Sequence, residues 1–208
     1  MAEERGTTTQ RVRNRWGEGD RLRGEILEGA SRLLSELGAS DALTIRGVAR
    51  AVGITAPSIY RHFADRDALV QGLLEHEFGR LREMMRAADE NTDPQDVVGR
   101  VRAQLRAYFD FAIANPGHYR LMLGSGPHRS KPGEHTGPIA EVVDSLTTAF
   151  ARCEQAGYRF RLDSAYRAAS VVFVSIHGRV ALLHSNYSED HARGFGAFID
   201  ELISLVLA

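Results

Sequence analysis

The chain has 208 residues, of which 43% are hydrophobic and 25% are charged, so it has enough apolar side chains for a core and extensive disorder is excluded. Its 26 basic and 27 acidic residues leave a net charge of −1, which excludes a polycation that coats nucleic acid. The single cysteine, Cys153, excludes an intrachain disulfide and a cysteine-based zinc site, and is typical of a reducing compartment.

Targeting signals are not evident. The first 23 residues are polar and rich in arginine, without the apolar stretch of a secretory signal. The most apolar long window, residues 165 to 183, contains Arg167, His177 and Arg179, which argues against a membrane span. We therefore expect a soluble cytoplasmic protein without a membrane partner.

The N-terminal segment is locally basic. Residues 5 to 23 contain six arginines and two acidic residues, a local charge of +4 in a chain of net charge −1. We predict a flexible basic arm over residues 1 to 20. Such an arm either contacts the DNA backbone or minor groove or is a solvated tail, and the sequence leaves both alternatives open.

Apolar residues recur at helical spacing along the chain, and β-branched runs of strand length are missing, so the predicted fold is all-α. The first helix is predicted to end at Gly38. A short second helix lies between Thr44 and Gly53, and a third has Pro57 in its first turn. Two short helices joined by a turn that contains glycine are typical of a helix-turn-helix, here residues 44 to 63 in a domain over residues 21 to 81.

The rest of the chain is predicted to form a second helical domain over residues 82 to 208. A long helix begins after Asp65, a plausible N-cap, and runs beyond Met85. Further helices are predicted at residues 95 to 115, 116 to 123, 139 to 157, 162 to 185 and 189 to 207, about nine helices in all. Residues 124 to 138 contain four glycines and three prolines and are predicted to be a surface loop.

The outer face of the third helix has the chemistry of a DNA reader. Small residues let a helix approach base edges, and hydroxyl and guanidinium groups bind phosphates. The predicted face contains Thr55, Ala56, Ser58, Tyr60, Arg61 and His62.

Residues 44 to 69 read TIRGVARAVGITAPSIYRHFADRDAL. This segment combines a threonine cap, a Val-Ala pair, a glycine turn, a Tyr-x-His-Phe tetrad and a basic residue and leucine beyond it. The combination resembles the signature of the TetR family of transcriptional regulators, and the likeness extends over about residues 21 to 81.

The resemblance implies a homodimer that places paired recognition helices in successive major grooves of double-stranded operator DNA. It also implies that Tyr60 and His62 contact phosphates, and that Arg66 holds a phosphate at the start of the fourth helix. One departure is Gly47, where the family commonly has the acidic residue of a capping box. The full set of residues predicted to contact DNA is Thr44, Arg46, Thr55, Ala56, Ser58, Tyr60, Arg61, His62 and Arg66.

The last two helices are apolar around most of their circumference, which predicts two packing partners for each. One side packs on the chain's own core, and the other forms a four-helix interface with a second copy.

The resemblance also implies an effector pocket in the rear domain, and several apolar residues with a few polar groups are candidates for an apolar small molecule. Ordinary core packing is the alternative for each. The candidates are Met84, Met85, Tyr108, Phe109, Phe111, Tyr119, Met122, Phe173 and His177.

Two segments resemble a subgroup of the family. Residues 115 to 123 are similar to the segment that opens the sixth helix, and residues 173 to 178 resemble an element with the pattern Trp-x-x-x-His-Gly, with Phe173 replacing the tryptophan. The pair His177 and Gly178 predicts a buried, hydrogen-bonded imidazole and close helix packing at the glycine.

The favoured function is a repressor that a small-molecule effector releases from its operator. Motifs of enzymes are missing, so an enzyme is disfavoured, and no cofactor is expected. A metal site made by His184, Glu189, Asp190 and His191 is conceivable, but solvated residues at a turn are favoured. A binding module that has lost DNA binding remains the alternative function.

Overall fold

The computed structural model describes residues 18 to 124, 137 to 185 and 194 to 208. These ranges contain nine α-helices and no strand, which confirms the predicted all-α fold. The helices are α1 (Glu18–Leu37), α2 (Ile45–Val52), α3 (Ala56–Tyr60), α4 (Arg66–Glu90), α5 (Val97–Ala114), α6 (Pro116–Gly124), α7 (Pro138–Gln155), α8 (Ala165–His184) and α9 (Phe195–Val206), with a single 3-10 turn at Ser40–Ala42.

Local signals place the ends of the front helices. The Thr44 hydroxyl accepts a hydrogen bond from the Gly47 amide at 3.0 Å, so the threonine caps α2 without the acidic residue of a capping box. Asp65 caps α4 in the same way. Gly53 ends α2 with a φ of 77°, a backbone conformation that favours glycine.

The helices share one hydrophobic core. α1 packs against α2, α4 and α6, and α4 packs along α5. In the rear part, α8 packs against α7, α5 and α9. The predicted domain boundary between residues 81 and 82 falls inside α4, which is continuous from Arg66 to Glu90. The two predicted domains therefore share a helix and a core, and their boundary stays a prediction.

In the part of the chain that the structure describes, α8 is the one helix long and apolar enough to cross a membrane by length and composition. It packs against α5, α7 and α9, and 33% of its apolar window is buried within this chain. The backbone segment before α8 pairs with the C-terminus, where the Ala208 amide donates to the Arg159 carbonyl oxygen at 2.7 Å.

Gly178 was predicted to permit close packing of another helix, and none of the described helices of the same chain packs against it. Gly178 is exposed, and a Cβ atom added there would meet no atom within 4 Å. The helical spacing places this glycine on the outer face of α8, away from α7.

Most of the predicted arm and loop, residues 1 to 17 and 125 to 136, lie outside the described residues, as do Glu189, Asp190 and His191.

Candidate functional sites

The helix-turn-helix has a buried side and an exposed side. Ile59 and Phe63 are buried against the front core, whereas the Tyr60 side chain is 54% exposed. Thr55 and Arg61 are exposed as well, and Ser58 and His62 are half-buried. The sequence prediction that α3 offers a polar outer face therefore agrees with the exposure of these side chains.

Ala56 is less accessible to solvent than its neighbours Thr55 and Pro57. Its side chain is half-buried and packs against the hydrophobic core. Pro57, in contrast, is exposed on the outer face. Of the predicted contacts in α2, Arg46 and the cap Thr44 are exposed.

A chain of hydrogen bonds runs along the outer face of α3. The hydroxyl oxygens of Thr55 and Ser58 lie 3.0 Å apart, and the Arg61 guanidinium donates to the Ser58 hydroxyl at 3.3 Å. These residues are three positions apart, which places them on one side of a helix.

Arg66 makes contacts inside the protein. Its Nε donates to the Leu43 carbonyl oxygen at 2.9 Å, and its terminal nitrogen donates to the Ser40 carbonyl oxygen at 2.6 Å. The guanidinium thereby fastens the start of α4 to the turn before α2. Its predicted contact with a phosphate stays a prediction.

Four of the residues predicted to bind an effector are in contact with one another. The Tyr108 hydroxyl lies 2.5 Å from Nδ1 of His177, and the Tyr119 hydroxyl donates to the His177 carbonyl oxygen at 2.9 Å. The Phe173 ring packs on both Tyr108 and His177, with centroid distances of 5.4 Å. We call Tyr108, Tyr119, Phe173 and His177 the aromatic cluster.

Burial keeps the aromatic cluster neutral. It raises the pKa of the Tyr108 phenol, with a further contribution from the neighbouring Tyr119, and raises the pKa of Tyr119 to about 12. Burial also lowers the pKa of His177. The imidazole is half-buried and hydrogen-bonded, close to the prediction for this residue.

The remaining candidates for the effector pocket differ in exposure. Met85, Phe111 and Met122 are buried, whereas Met84 is largely exposed on α4. Phe109 stacks on Phe195 of α9. None of these residues has a ring contact or a side-chain hydrogen bond with the aromatic cluster in the described part of the chain, so their place in a pocket stays a prediction.

A buried polar contact between α1, α4 and α6 was missed by the sequence reasoning. Glu77 of α4 and His118 of α6 are 0% and 1% exposed. Nε2 of His118 lies 3.0 Å from the Ser31 hydroxyl of α1 and 3.6 Å from a Glu77 carboxylate oxygen. Arg80 donates to both Ser31 and Glu77. We call Ser31, Glu77, Arg80 and His118 the polar joint.

One signal in the sequence points to the polar joint. Glu77 lies four residues after Leu73 and four before Leu81, so it is a charged residue within the apolar stripe of α4. A second polar contact lies near the C-terminal end of α4, where Asp89 is bonded by Arg100, Gln104 and Arg152 and so ties α4 to α5 and α7.

α6 also contacts the backbone at the C-terminal end of α1. The Arg120 guanidinium donates to the Gly38 carbonyl oxygen at 2.7 Å. A Cβ atom added to Gly117 would lie 3.0 Å from the Leu34 carbonyl oxygen, so this glycine permits the close approach of the two helices.

The outer faces of α8 and α9 expose apolar side chains. Val171, Val174 and Leu182 lie on one side of α8 and are 43%, 66% and 44% exposed, and Leu205 of α9 is 66% exposed. In α9, Phe195, Ile199 and Ile203 are buried in the chain's own core.

No group of three potential metal ligands occurs within the described ranges. His184, part of the conceivable metal site, has its Nε2 3.0 Å from the Ala112 carbonyl oxygen.

Two family descriptions match the sequence. One, "Bacterial regulatory proteins, tetR family", matches residues 26 to 73. The other, "Tetracyclin repressor-like, C-terminal domain", matches residues 101 to 206, which is half of the chain. The resemblance of the N-terminal motif thus extends to the rear helices.

An HTH-type transcriptional regulator of Mycobacterium tuberculosis is 30% identical over 151 residues, which are 72% of this chain and 62% of the relative. The chain therefore spans under two thirds of that relative's length.

Solved structures share the fold. A protein of unknown function from Rhodococcus sp. RHA1 has a TM-score of 0.70 and 26% identity, covering 91% of this chain and 97% of its own. The transcriptional regulator FadR from Bacillus subtilis, in complex with stearoyl-CoA, has a TM-score of 0.67 at 14% identity, covering 88% of this chain and 98% of its own.

Proposed function

Because the chain belongs to the TetR family of bacterial regulatory proteins, we propose that it is a ligand-responsive, DNA-binding transcriptional regulator of the cytoplasm. In this proposal a homodimeric repressor binds double-stranded operator DNA and is released by a small-molecule effector. The observation that carries the proposal is the outer face of α3, which presents hydroxyl, phenol and guanidinium groups to solvent. These groups contact phosphates and base edges in DNA.

The proposed DNA contacts come from both helices of the motif and from the start of α4. Tyr60 and His62 reach phosphates, and the exposed Arg61 between them faces the bases. The proposed set is Thr44, Arg46, Thr55, Ala56, Ser58, Tyr60, Arg61, His62 and Arg66.

The dimer is proposed to form through α8 and α9. The exposed valines and leucines of these helices are apolar surface that a second copy would remove from water. Gly178 lies on the same face and leaves room for close approach. A two-fold axis through this face would relate two recognition helices, as a palindromic operator requires.

The effector is proposed to be apolar and to bind at the aromatic cluster. The hydroxyl groups of Tyr108 and Tyr119 are hydrogen-bonded to Nδ1 and to the carbonyl oxygen of His177, so the rings offer a ligand mainly apolar surface. A fold neighbour was solved with stearoyl-CoA, a ligand with a long apolar chain, which is consistent with this chemistry.

α6 is proposed to carry the signal between the two sites. Tyr119 belongs to the aromatic cluster, while its neighbours His118 and Arg120 contact α1. A ligand that displaces Tyr119 would therefore move side chains that hold α1 in place. Coupling between two such sites typically amounts to about 1–3 kcal/mol.

The proposal is tested with purified full-length protein. Its binding to duplexes that cover its own gene and the adjacent intergenic regions is measured over a range of salt concentrations, with a random duplex as control. We expect selective binding of a dimer to at least one fragment, and apolar compounds are then screened for release of that fragment. Binding no tighter than to the random duplex, both here and in a genome-wide selection of bound fragments, would contradict the proposal and favour a binding module without DNA activity.

A further inference from the structure

The direction of each side chain from Ser58 to Phe63 follows from the helical repeat, which continues past the end of α3 because Arg61 keeps a helical backbone conformation and the Phe63 amide donates to the Ile59 carbonyl oxygen at 3.0 Å. Successive residues are rotated by about 100°. Ile59 and Phe63 are buried and mark the core side of the helix. Ser58 and Arg61 then lie on the opposite side, about 100–160° from these two residues. Tyr60 and His62 project to the two flanks.

This arrangement assigns different parts of the groove to different residues. A short helix that enters the major groove with its core side outward turns its opposite side toward the base edges on the groove floor. Side chains on the flanks point to the two phosphate backbones that form the walls. Ser58 and Arg61 therefore face bases, whereas Tyr60 and His62 face phosphates.

Arg61 is also held in place within the protein. Its guanidinium donates to the Ser58 hydroxyl at 3.3 Å, and that hydroxyl lies 3.0 Å from the Thr55 hydroxyl. A guanidinium has five N–H donors, so one bond to Ser58 leaves a pair of donors available. Arg66, in contrast, directs two of its five donors to the carbonyl oxygens of Leu43 and Ser40.

We infer that Arg61 reads a guanine in each operator half-site, and that Ser58 and Thr55 position its guanidinium. Arginine pairs with O6 and N7 of guanine through two parallel hydrogen bonds, the pairing that a fixed planar fork fits best. The inference rests on the proposed function, because it requires that α3 enters the major groove. It adds the base that one named residue recognises.

The test begins with duplexes selected by the wild-type protein from a randomised library. We expect a guanine at one symmetric position of each half-site. Replacing that guanine with 7-deazaguanine removes the N7 acceptor and should weaken wild-type binding on the order of 10-fold, and replacing the base pair should weaken it by about 10- to 100-fold.

Three variants make the test specific. Arg61→Ala should bind all bases at this position equally and should be insensitive to 7-deazaguanine. Arg61→Lys keeps the charge but lacks the planar fork, so it should lose most of the discrimination too. Arg50→Ala removes another exposed arginine, on α2, and should keep the guanine requirement. Because Arg61 is exposed, its replacement should leave the melting temperature unchanged.

The outcomes separate the inference from the proposed function. A phosphate contact by Arg61 would instead lower the affinity of Arg61→Ala for all sequences equally and reduce the salt slope by about one. That result would overturn the inference while leaving a DNA-binding regulator in place. If the wild-type protein selects no sequence from the library, the proposed function fails and the inference fails with it.

Discussion

Arg66 reaches back along the chain to two carbonyl oxygens, those of Leu43 and Ser40. Hydrogen bonds from a charged donor to a partly buried acceptor stabilise a fold more than neutral ones do. The side chain is 37% exposed, which weakens this effect. We therefore expect Arg66→Ala to lower the free energy of unfolding by about 1–2 kcal/mol, measured by urea denaturation.

Arg46→Ala is the matched control, because Arg46 is exposed on the neighbouring helix and makes no described hydrogen bond or ion pair. Its stability should be close to that of the wild-type protein. If Arg66→Ala is equally stable and lowers the salt slope of DNA binding by about one, the arginine holds a phosphate rather than the turn.

His118 makes stability depend on pH. Burial lowers its pKa in the folded protein from the ordinary 6.5, although Glu77 opposes the shift and Arg80 and His76 reinforce it. The unfolded chain therefore binds a proton first as the pH falls below about 6.5, and the folded state loses stability from there down to the folded-state pKa. Above that window His118 contributes no pH dependence.

The variant that isolates this contribution is His118→Gln, which has no titratable group and keeps hydrogen-bonding capacity. We expect its melting temperature to fall less than that of the wild-type protein between pH 7.5 and pH 5.5. His177→Gln serves as a comparison, because burial also lowers the pKa of His177 at a different site. Parallel curves for wild type and His118→Gln would refute the role of His118.

At the scale of elements, the contact of α6 with α1 depends on Gly117. A methyl group there would lie 3.0 Å from the Leu34 carbonyl oxygen and 3.3 Å from the Gly38 Cα atom, and backbone atoms do not move aside cheaply. We expect Gly117→Ala to lower the free energy of unfolding by about 1–3 kcal/mol in urea denaturation.

Gly79→Ala is the control variant, and it is expected to stabilise the protein. Gly79 lies inside α4, and a Cβ atom there would meet nothing within 4 Å. Alanine at an open helical position stabilises by about 0.5–1 kcal/mol. A Gly117→Ala protein as stable as the wild type would show that the contact between α6 and α1 is not as close as described.

The ends of the helices were predictable from the sequence, but the contacts between one helix and another were not. Thr44, Gly53 and Asp65 act on neighbouring residues, so capping rules placed the helix ends correctly. The bond between Ser31 and His118, in contrast, joins residues 87 positions apart. No local periodicity contains such a pair, because the three-dimensional path of the chain brings the two residues together.

In the candidate sites, too, local features were predictable from the sequence, and contacts between distant residues were not. Spacing alone predicted the polar outer face of α3, whereas the four members of the aromatic cluster were among nine candidates for the effector pocket that the family resemblance implies. The orientation of Arg66 toward Ser40 was not predictable, since an arginine at a helix start fits a phosphate contact as well as a carbonyl contact. The half-buried position of Ala56 also required the packing of α3 on its neighbours.

At the scale of the whole molecule, Val174 is the most exposed of the apolar residues on α8. Val174→Glu should raise the dimer dissociation constant by at least about 100-fold, because each dimer would bury two unpaired carboxylates. Sedimentation equilibrium measures this change, and operator affinity should fall with it. Tyr158→Glu, at an exposed site outside α8 and α9, should remain a dimer. A dimeric Val174→Glu protein would place the interface elsewhere.

The continuity of α4 affects how the protein unfolds. A single helix from Arg66 to Glu90 carries buried residues of both the front and the rear parts, including Leu69 and Met85. Loss of either part would expose half of that helix to water. Calorimetry should therefore record one cooperative transition with equal calorimetric and van't Hoff enthalpies, rather than two separate melting events. The helices of the helix-turn-helix then exist as a folded unit only together with the helices behind them.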